Sequence, residues 1–155
     1  MSLENAREYL KQFNADGRIL LFEQSSATVE LAAAAVGTDP ARIAKTLSFM
    51  GPKGPMLIVT AGDTKIDNGK YKKLFGMKAK MLDFVQVEEL VGHAIGGVCP
   101  FGIKDGVTVF LDVSLKRFGT VFPACGSGNS AIEVTCGELS EFSKSAGWID
   151  VSKQA

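Results

Sequence analysis

Apolar residues at Leu3, Ala6, Leu10 and Phe13 recur at helical spacing, and Gly17 is placed to close that helix. Ile19 to Phe22 is a short apolar run, read as a strand. Ser25 and Ser26 offer N-caps for a helix through Leu31-Ala32-Ala33-Ala34-Ala35, ended by Gly37. Asp39-Pro40 starts a short helical turn. Lys45 to Met50 reads as a strand, Gly51 to Pro55 as a turn, and Met56 to Thr60 as the returning strand. Asp67 caps a helix containing Tyr71, Leu74 and Phe75, stopped at Gly76. Lys80-Met81-Leu82 is a brief strand, and Val87 to Val91 a short helix stopped at Gly92. Val107 to Leu111 and Thr120 to Ala124 are strands, and Gly126-Ser127-Gly128-Asn129 turns the chain into Ile132-Glu133-Val134. Thr135 and Glu138 form a capping box for a helix with Leu139, Phe142 and Ala146 on one face. Gly147 ends it, and Trp148-Ile149 adds a final strand.

Short helices interleave with many short strands, and hairpin signals are present. The pattern predicts a mixed α/β (α+β) fold with a curled, barrel-like β-sheet and flanking short helices, not a doubly wound parallel sheet. No linker, repeat or composition break divides the 155 residues, so residues 1–155 are read as one domain.

Composition narrows the function classes. Seventeen basic and seventeen acidic residues cancel, which excludes a generally basic DNA-binding protein while leaving room for a local basic patch. No apolar run is long enough to span a membrane, and the segment from Met1 to Asn5 has no signal-peptide character, so a cytoplasmic protein is expected. Cys99, Cys125 and Cys136 are odd in number and form no CxxC, which fits reduced thiols. With His93 as the single histidine, no metal cage and no cofactor are expected, and any imidazole chemistry would rest on that one residue.

Five features could carry chemistry. Lys45 alternates with Leu47 and Phe49 onto an apolar face, where an ammonium must be paired, line a cavity or snorkel at the strand edge. The stretch from Gly92 to Gly102 carries four glycines and Pro100, a backbone able to gather N–H groups around an anion, or simply a connecting loop. Cys99 lies six residues from His93, as a thiol with its base or as a small residue tolerated beside the loop. Gly126 to Ser130 is either a polar substrate contact or a hairpin turn. Between Lys65 and Lys80 six lysines face one acid, Asp67, which suits a phosphate backbone or a solvated helix face; Lys70, Lys72 and Lys73 are the candidate RNA contacts.

Taken together and in this order, these residues resemble the YbaK family of aminoacyl-tRNA editing proteins, which includes the editing insertion of bacterial prolyl-tRNA synthetases. The resemblance runs from about Ile19 to the helix after Thr135. It rests on Lys45-Thr46-Leu47, on the loop from Gly92-His93 through Gly96-Gly97-Val98-Cys99-Pro100-Phe101-Gly102, and on Asp112-Val113-Ser114-Leu115. The glycine turn followed by Ile132-Glu133-Val134 and Glu138-Leu139 also matches.

The resemblance implies a trans-acting deacylase that hydrolyses the ester of a mischarged tRNA, expected to be tRNA for proline carrying a small amino acid. Its partners would be the acceptor end of aminoacyl-tRNA and an aminoacyl-tRNA synthetase such as prolyl-tRNA synthetase. Lys45 matches the family's essential lysine, and Gly96-x-x-x-Pro100 its backbone-presenting loop, so Lys45, Gly96 and Gly97 are expected to carry catalysis. Phe22, Thr46, Val98, Cys99, Pro100, Gly126, Ser127, Gly128 and Asn129 are expected to bind substrate. Cys99 stands where serine is common, Phe22 near where the cysteine-specific branch has tyrosine, and Ala131 where it has aspartate. The turn is then expected to shape the pocket for alanine, serine, threonine or another small residue. A non-catalytic tRNA- or synthetase-binding module on the same fold is the alternative. A thiol hydrolase using Cys99 and His93 would lack a third group to orient the base.

Overall fold

The computed structural model describes residues 2–155; Met1 lies outside them. Its centre is the hairpin of β2 (Ile43–Gly51) and β3 (Gly54–Ala61), paired antiparallel from Ala44 opposite Ala61 to Gly51 opposite Gly54. β5 (Thr108–Asp112) runs parallel to β3, and β9 (Gly147–Ile149) parallel to β5. On the other side β6 (Thr120–Pro123) runs parallel to β2 and antiparallel to β8 (Val134–Thr135). The result is a curled, half-barrel sheet of order β8-β6-β2-β3-β5-β9. Two small antiparallel pairs flank it: β1 (Ile19–Leu21) with β7 (Ser130–Ile132), and β4 (Thr64–Ile66) with β10 (Ser152–Gln154). This is the mixed, curled architecture expected from the interleaved short elements.

The sheet is covered on both faces, which explains why β3 reads as an unbroken apolar run. Leu57, Val59 and Ala61 join Val109, Leu111 and Val121 in the main core, beneath α1 (Ser2–Leu10), α4 (Phe84–Leu90) and α5 (Cys136–Ser143). Alternate residues point the other way. Phe49, Met56 and Ile58 pack with Tyr71 of α3 (Asn68–Phe75) and with Val151, the Phe49 and Tyr71 rings 5.3 Å apart. A third cluster sets Ala32 and Ala33 of α2 (Val29–Val36) on Ile43 and Phe122; the alanines let that helix approach closely.

Several boundaries differ from the sequence reading. Thr28, not Ser25 or Ser26, caps α2 by accepting the Leu31 amide, because the Ser26 amide donates to the Gly128 carbonyl across the fold. α1 ends at Leu10, and a 3-10 turn (Lys11–Phe13) follows that Asn14 closes in a left-handed conformation, ahead of Gly17. α5 stops at Ser143 with Lys144 left-handed, so Ala146 leaves the helix and donates its amide to Val109. Lys80 to Leu82 makes only one bridge, between Met81 and Phe49. β4 and β10 carry too many polar residues to be seen by alternation.

The C-terminal strap is tied down by Asp112, which is fully buried at the end of β5. Its carboxylate accepts the Val151 amide at 2.9 Å, the Ser152 hydroxyl at 2.6 Å and the Ser114 amide at 3.0 Å. Asp112→Ala is expected to cost about 3 kcal/mol, because it leaves two buried donors without acceptors. Thermal melting should show a Tm lowered by roughly 6–12 °C for a chain of this size. A loss below about 1 kcal/mol would mean that the strap is held by its strand pairing alone.

Candidate active site

A cavity of about 260 Å³ opens between the start of β2, α2 and three converging loops. β2 contributes Ala44, Lys45, Thr46 and Ser48; α2 and the segment before it contribute Ser26, Ala27, Thr28, Val29 and Ala32. The loop before β5 brings Ile95, Gly96 and Val98, and β6 and β7 bring Phe122, Ser130 and Ala131.

The loops meet backbone to backbone. The amide of Ser26 donates to the Gly128 carbonyl at 2.6 Å. Gly96 has φ +96°, a conformation L side chains rarely adopt. A Cβ on Gly97 would lie 2.6 Å from backbone atoms of Gly126 and Ser127, so the glycine loop and the glycine turn can touch only without side chains between them. Gly126 in turn seats α1, a Cβ there falling 2.4 Å from the Ser2 carbonyl oxygen. Within the turn, Ser127 donates to Asn129 at 2.8 Å, and Asn129 donates its side-chain amide to the Phe22 carbonyl at 3.2 Å.

This geometry divides the roles expected of the loop. The Gly97 amide is taken by the Ala94 carbonyl at 3.1 Å, and Gly97 does not line the cavity. Gly96 and Val98 do line it, and their amides make no hydrogen bond among the described residues. Gly96 and Val98 thus bring unspent amides to the lining, with Gly97 as the contact that positions them.

Lys45 lies where alternation put it, half-buried beside Leu47 on the strand. It contributes to the cavity lining, while its ammonium donates to the Thr64 carbonyl in the turn after β3. Burial pulls its pKa below that of an ordinary lysine, partly opposed by the Asp63 and Glu30 carboxylates. The turn is braced by Arg117, which binds both Asp63 oxygens, at 2.9 and 2.6 Å, and holds that carboxyl below its usual range. Two cavity-lining residues carry buried hydroxyls with no partner in the protein, Ser26 and Thr46.

Other expected site residues lie elsewhere. Cys99 is fully buried in the main core and lines no part of the cavity; its sulfur is 3.5 Å from the His93 ring and from the Phe101 carbonyl. Desolvation pushes the thiol up to about 12, so it holds its proton. His93 is equally buried, its Nε2 spent on the Phe101 carbonyl at 2.6 Å, which leaves no nucleophile–base pair facing solvent. Pro100 is buried behind the loop, and Phe22 meets the turn through its backbone; neither lines the cavity, nor do Gly126, Ser127, Gly128 or Asn129, which support the wall from behind. The lysines are not gathered there either. α3 packs on the face of β2 that carries Phe49, opposite Thr46 and Ser48, and Lys70 is turned back onto Asp150 at 3.0 Å and the Ser152 carbonyl at 2.8 Å. Lys72 and Lys73 remain exposed on that far side. Among the described residues no three His, Cys, Asp or Glu side chains are grouped to hold a metal ion, and no helix is long and apolar enough to cross a membrane.

Residues 23–142, which contain the cavity wall, match the model of the aminoacyl-tRNA editing domain. The chain belongs to that family. It is 58% identical to the uncharacterized protein YwhH of Bacillus subtilis, over 99% of this chain and 98% of that one. It is 28% identical to proline–tRNA ligase of Bacillus licheniformis across 92 residues, 57% of this chain and 16% of the ligase. A solved structure named provisionally as a trans-editing enzyme for prolyl tRNA synthetase superposes with a TM-score of 0.88 at 29% identity, covering 98% of this chain and 97% of that one. This editing domain is thus related to the editing module of prolyl-tRNA synthetase. Sequence reasoning missed Ser26 as a cavity residue, because it looked like a helix cap.

Gly97→Ala is expected to lower Tm by roughly 3–10 °C through overpacking worth about 1–3 kcal/mol. Gly119→Ala, with nothing within 4 Å of the added carbon, is the control and should melt near wild type. A Gly97→Ala protein melting like the control would contradict the backbone contact. A second expectation concerns pH. Burial lowers the folded pKa of His93 from 6.5, so between the two values the unfolded chain binds a proton that the folded chain does not. Stability should therefore fall as pH drops through about 6.5, before the carboxylates titrate. Melting curves from pH 7.5 to 5.5 should slope in wild type and flatten in His93→Gln; equal slopes would remove the assignment.

Proposed function

We propose that this editing domain is a trans-acting aminoacyl-tRNA deacylase. It hydrolyses the ester of tRNA for proline carrying a small non-cognate amino acid, in the cytoplasm, without a metal. Support for free action comes from YwhH, a relative of matching length. The observation that carries the reading is a cavity lined together by Lys45, Thr46, Gly96 and Val98, the two loop residues having amides free of internal partners.

In this reading the aminoacyl group enters the cavity, and its carbonyl oxygen meets the Gly96 and Val98 amides. Water attacks the carbonyl carbon, and negative charge gathers on that oxygen as the tetrahedral intermediate forms. Preorganised donors stabilise this charge more than the ground-state carbonyl. Collapse breaks the acyl–oxygen bond, the ribose oxygen takes a proton, and a free amino acid leaves. Lys45 gives up the Thr64 carbonyl for a stronger partner, the phosphate of the terminal nucleotide or the developing oxyanion. An aminoacyl ester is already activated, so positioning and charge stabilisation suffice, and the unreactive Cys99 has no step to perform.

The test is deacylation of tRNA for proline charged separately with alanine, cysteine, serine, threonine and proline. Small acyl groups should be released and prolyl retained. Lys45→Ala should lower single-turnover rates by roughly two to four orders of magnitude. Because burial disfavours its charged form, removing Lys45 should leave Tm within a few degrees of wild type. Near-wild-type rates in Lys45→Ala would exclude it from the chemistry. Retention of charged tRNA without release of any amino acid would instead identify a binding module.

A further inference from the structure

The ammonium of Lys45 donates to the Thr64 carbonyl, and the residue before Thr64, Asp63, carries a carboxylate. Among the described residues Lys45 nevertheless makes no ion pair. Of the charges around it, that of Asp63 acts most strongly, followed by that of Glu30 on α2, and both favour its protonated form. A half-buried ammonium ordinarily takes an unoccupied carboxylate within reach, because opposite charges attract more strongly where water is partly excluded.

The way Asp63 is held prevents this. Arg117 spends its fork on both carboxylate oxygens, at 2.9 and 2.6 Å, while its Nε donates to the Ser114 carbonyl at 2.8 Å. Its guanidinium also lies over the Phe118 ring, 4.8 Å from the centroid. The 3-10 turn Val113–Arg117 that carries it is itself anchored: Asp112 accepts the Ser114 amide, and the Ser114 hydroxyl accepts the Ala61 amide at 3.1 Å. The remaining contact of the Asp63 carboxylate is the Gln154 side-chain amide, at 3.4 Å. The Arg117 and Asp63 side chains are 42% and 25% exposed, and a pair this open to water adds little to global stability. Its planar, two-bonded geometry does something else: it fixes where the carboxylate points.

We propose that Arg117 is a positioning residue: by occupying both oxygens of Asp63 it keeps that carboxylate from capturing the Lys45 ammonium. Lys45 then stays on a neutral carbonyl, which an incoming anion can replace. The proposal rests on the deacylase reading for that anion, the substrate's phosphate or developing oxyanion, and adds the residue that keeps Lys45 exchangeable.

The first readout needs no substrate. The side-chain nitrogen resonance of Lys45 in isotopically labelled protein, assigned by its absence from Lys45→Ala, is followed through its alkaline titration. Arg117→Met should move that titration upward, because the freed carboxylate pairs with the ammonium. Asp63→Asn should move it downward, because a charge that favours protonation is gone. Loosening of the turn alone would move both in the same direction. The second readout is single-turnover deacylation of mischarged tRNA for proline. Arg117→Met should slow it on the order of tenfold, since a captured ammonium must break a charge-assisted bond before it serves. The double variant Arg117→Met/Asp63→Asn should recover to within about threefold of wild type, the capturing carboxylate being absent. Arg117→Lys keeps the charge and loses the fork; it should fall between wild type and Arg117→Met in both readouts, and it carries the test if Arg117→Met does not fold. Titrations that shift together, or a double variant as slow as Arg117→Met, would overturn the proposal and leave the clamp as a brace of the turn. Opposite shifts in a protein that hydrolyses no ester would sink the deacylase and keep the shielding of Lys45 by Arg117.

Discussion

The cavity depends on one constraint: two loop backbones, from Gly96-Gly97 and Gly126-Ser127, approach more closely than any side chain permits. Ser26 joins them through the Gly128 carbonyl, and α1 lies against the back of Gly126. Three segments distant in sequence thereby become one wall. The contacts that join them are main chain, so the wall is fixed before any ligand arrives. Fixed dipoles of this kind need no reorganisation as charge develops.

The sheet provides the opposing side and keeps the two jobs of β2 separate. Even-numbered residues Ala44, Thr46 and Ser48 face the cavity, while Leu47 and Phe49 pack against α3. Lys45 sits at the strand's entry, where its long stem lets it line the cavity and still place its ammonium at the turn after β3. A carbonyl partner satisfies the amine as a donor without setting a carboxylate against it.

Much of this architecture was legible in the residues. The β2–β3 hairpin, the Asp67 and Thr135 caps and the glycine stops of α2 and α3 are local signals, and they appear where local chemistry places them. The failures have a common cause. Ser26 looked like a cap because its amide's partner, Gly128, lies a hundred residues away. Cys99 and Pro100 looked like cavity residues because a glycine-rich loop gives no periodicity to say which side faces inward. The charge of Lys70, Lys72 and Lys73 did not tell that their helix covers the face of the sheet away from the cavity, because charge carries no information about which face a helix covers. The unspent hydroxyls of Ser26 and Thr46 are a property of packing, and no spacing rule exposes them.

The tether on Lys45 runs well beyond the cavity. Asp112 caps the turn that begins with Val113, Arg117 in that turn clamps Asp63, and Asp63 adjoins the Thr64 carbonyl that holds the ammonium. Laboratory evolution restricted to cavity-lining positions would leave every link of this chain untouched. Natural drift has no such restriction. Under the proposed deacylase function, changes at Arg117 or Asp63 would retune how readily the lysine is released while the cavity's shape stayed the same, and relatives with identical linings would still differ in speed.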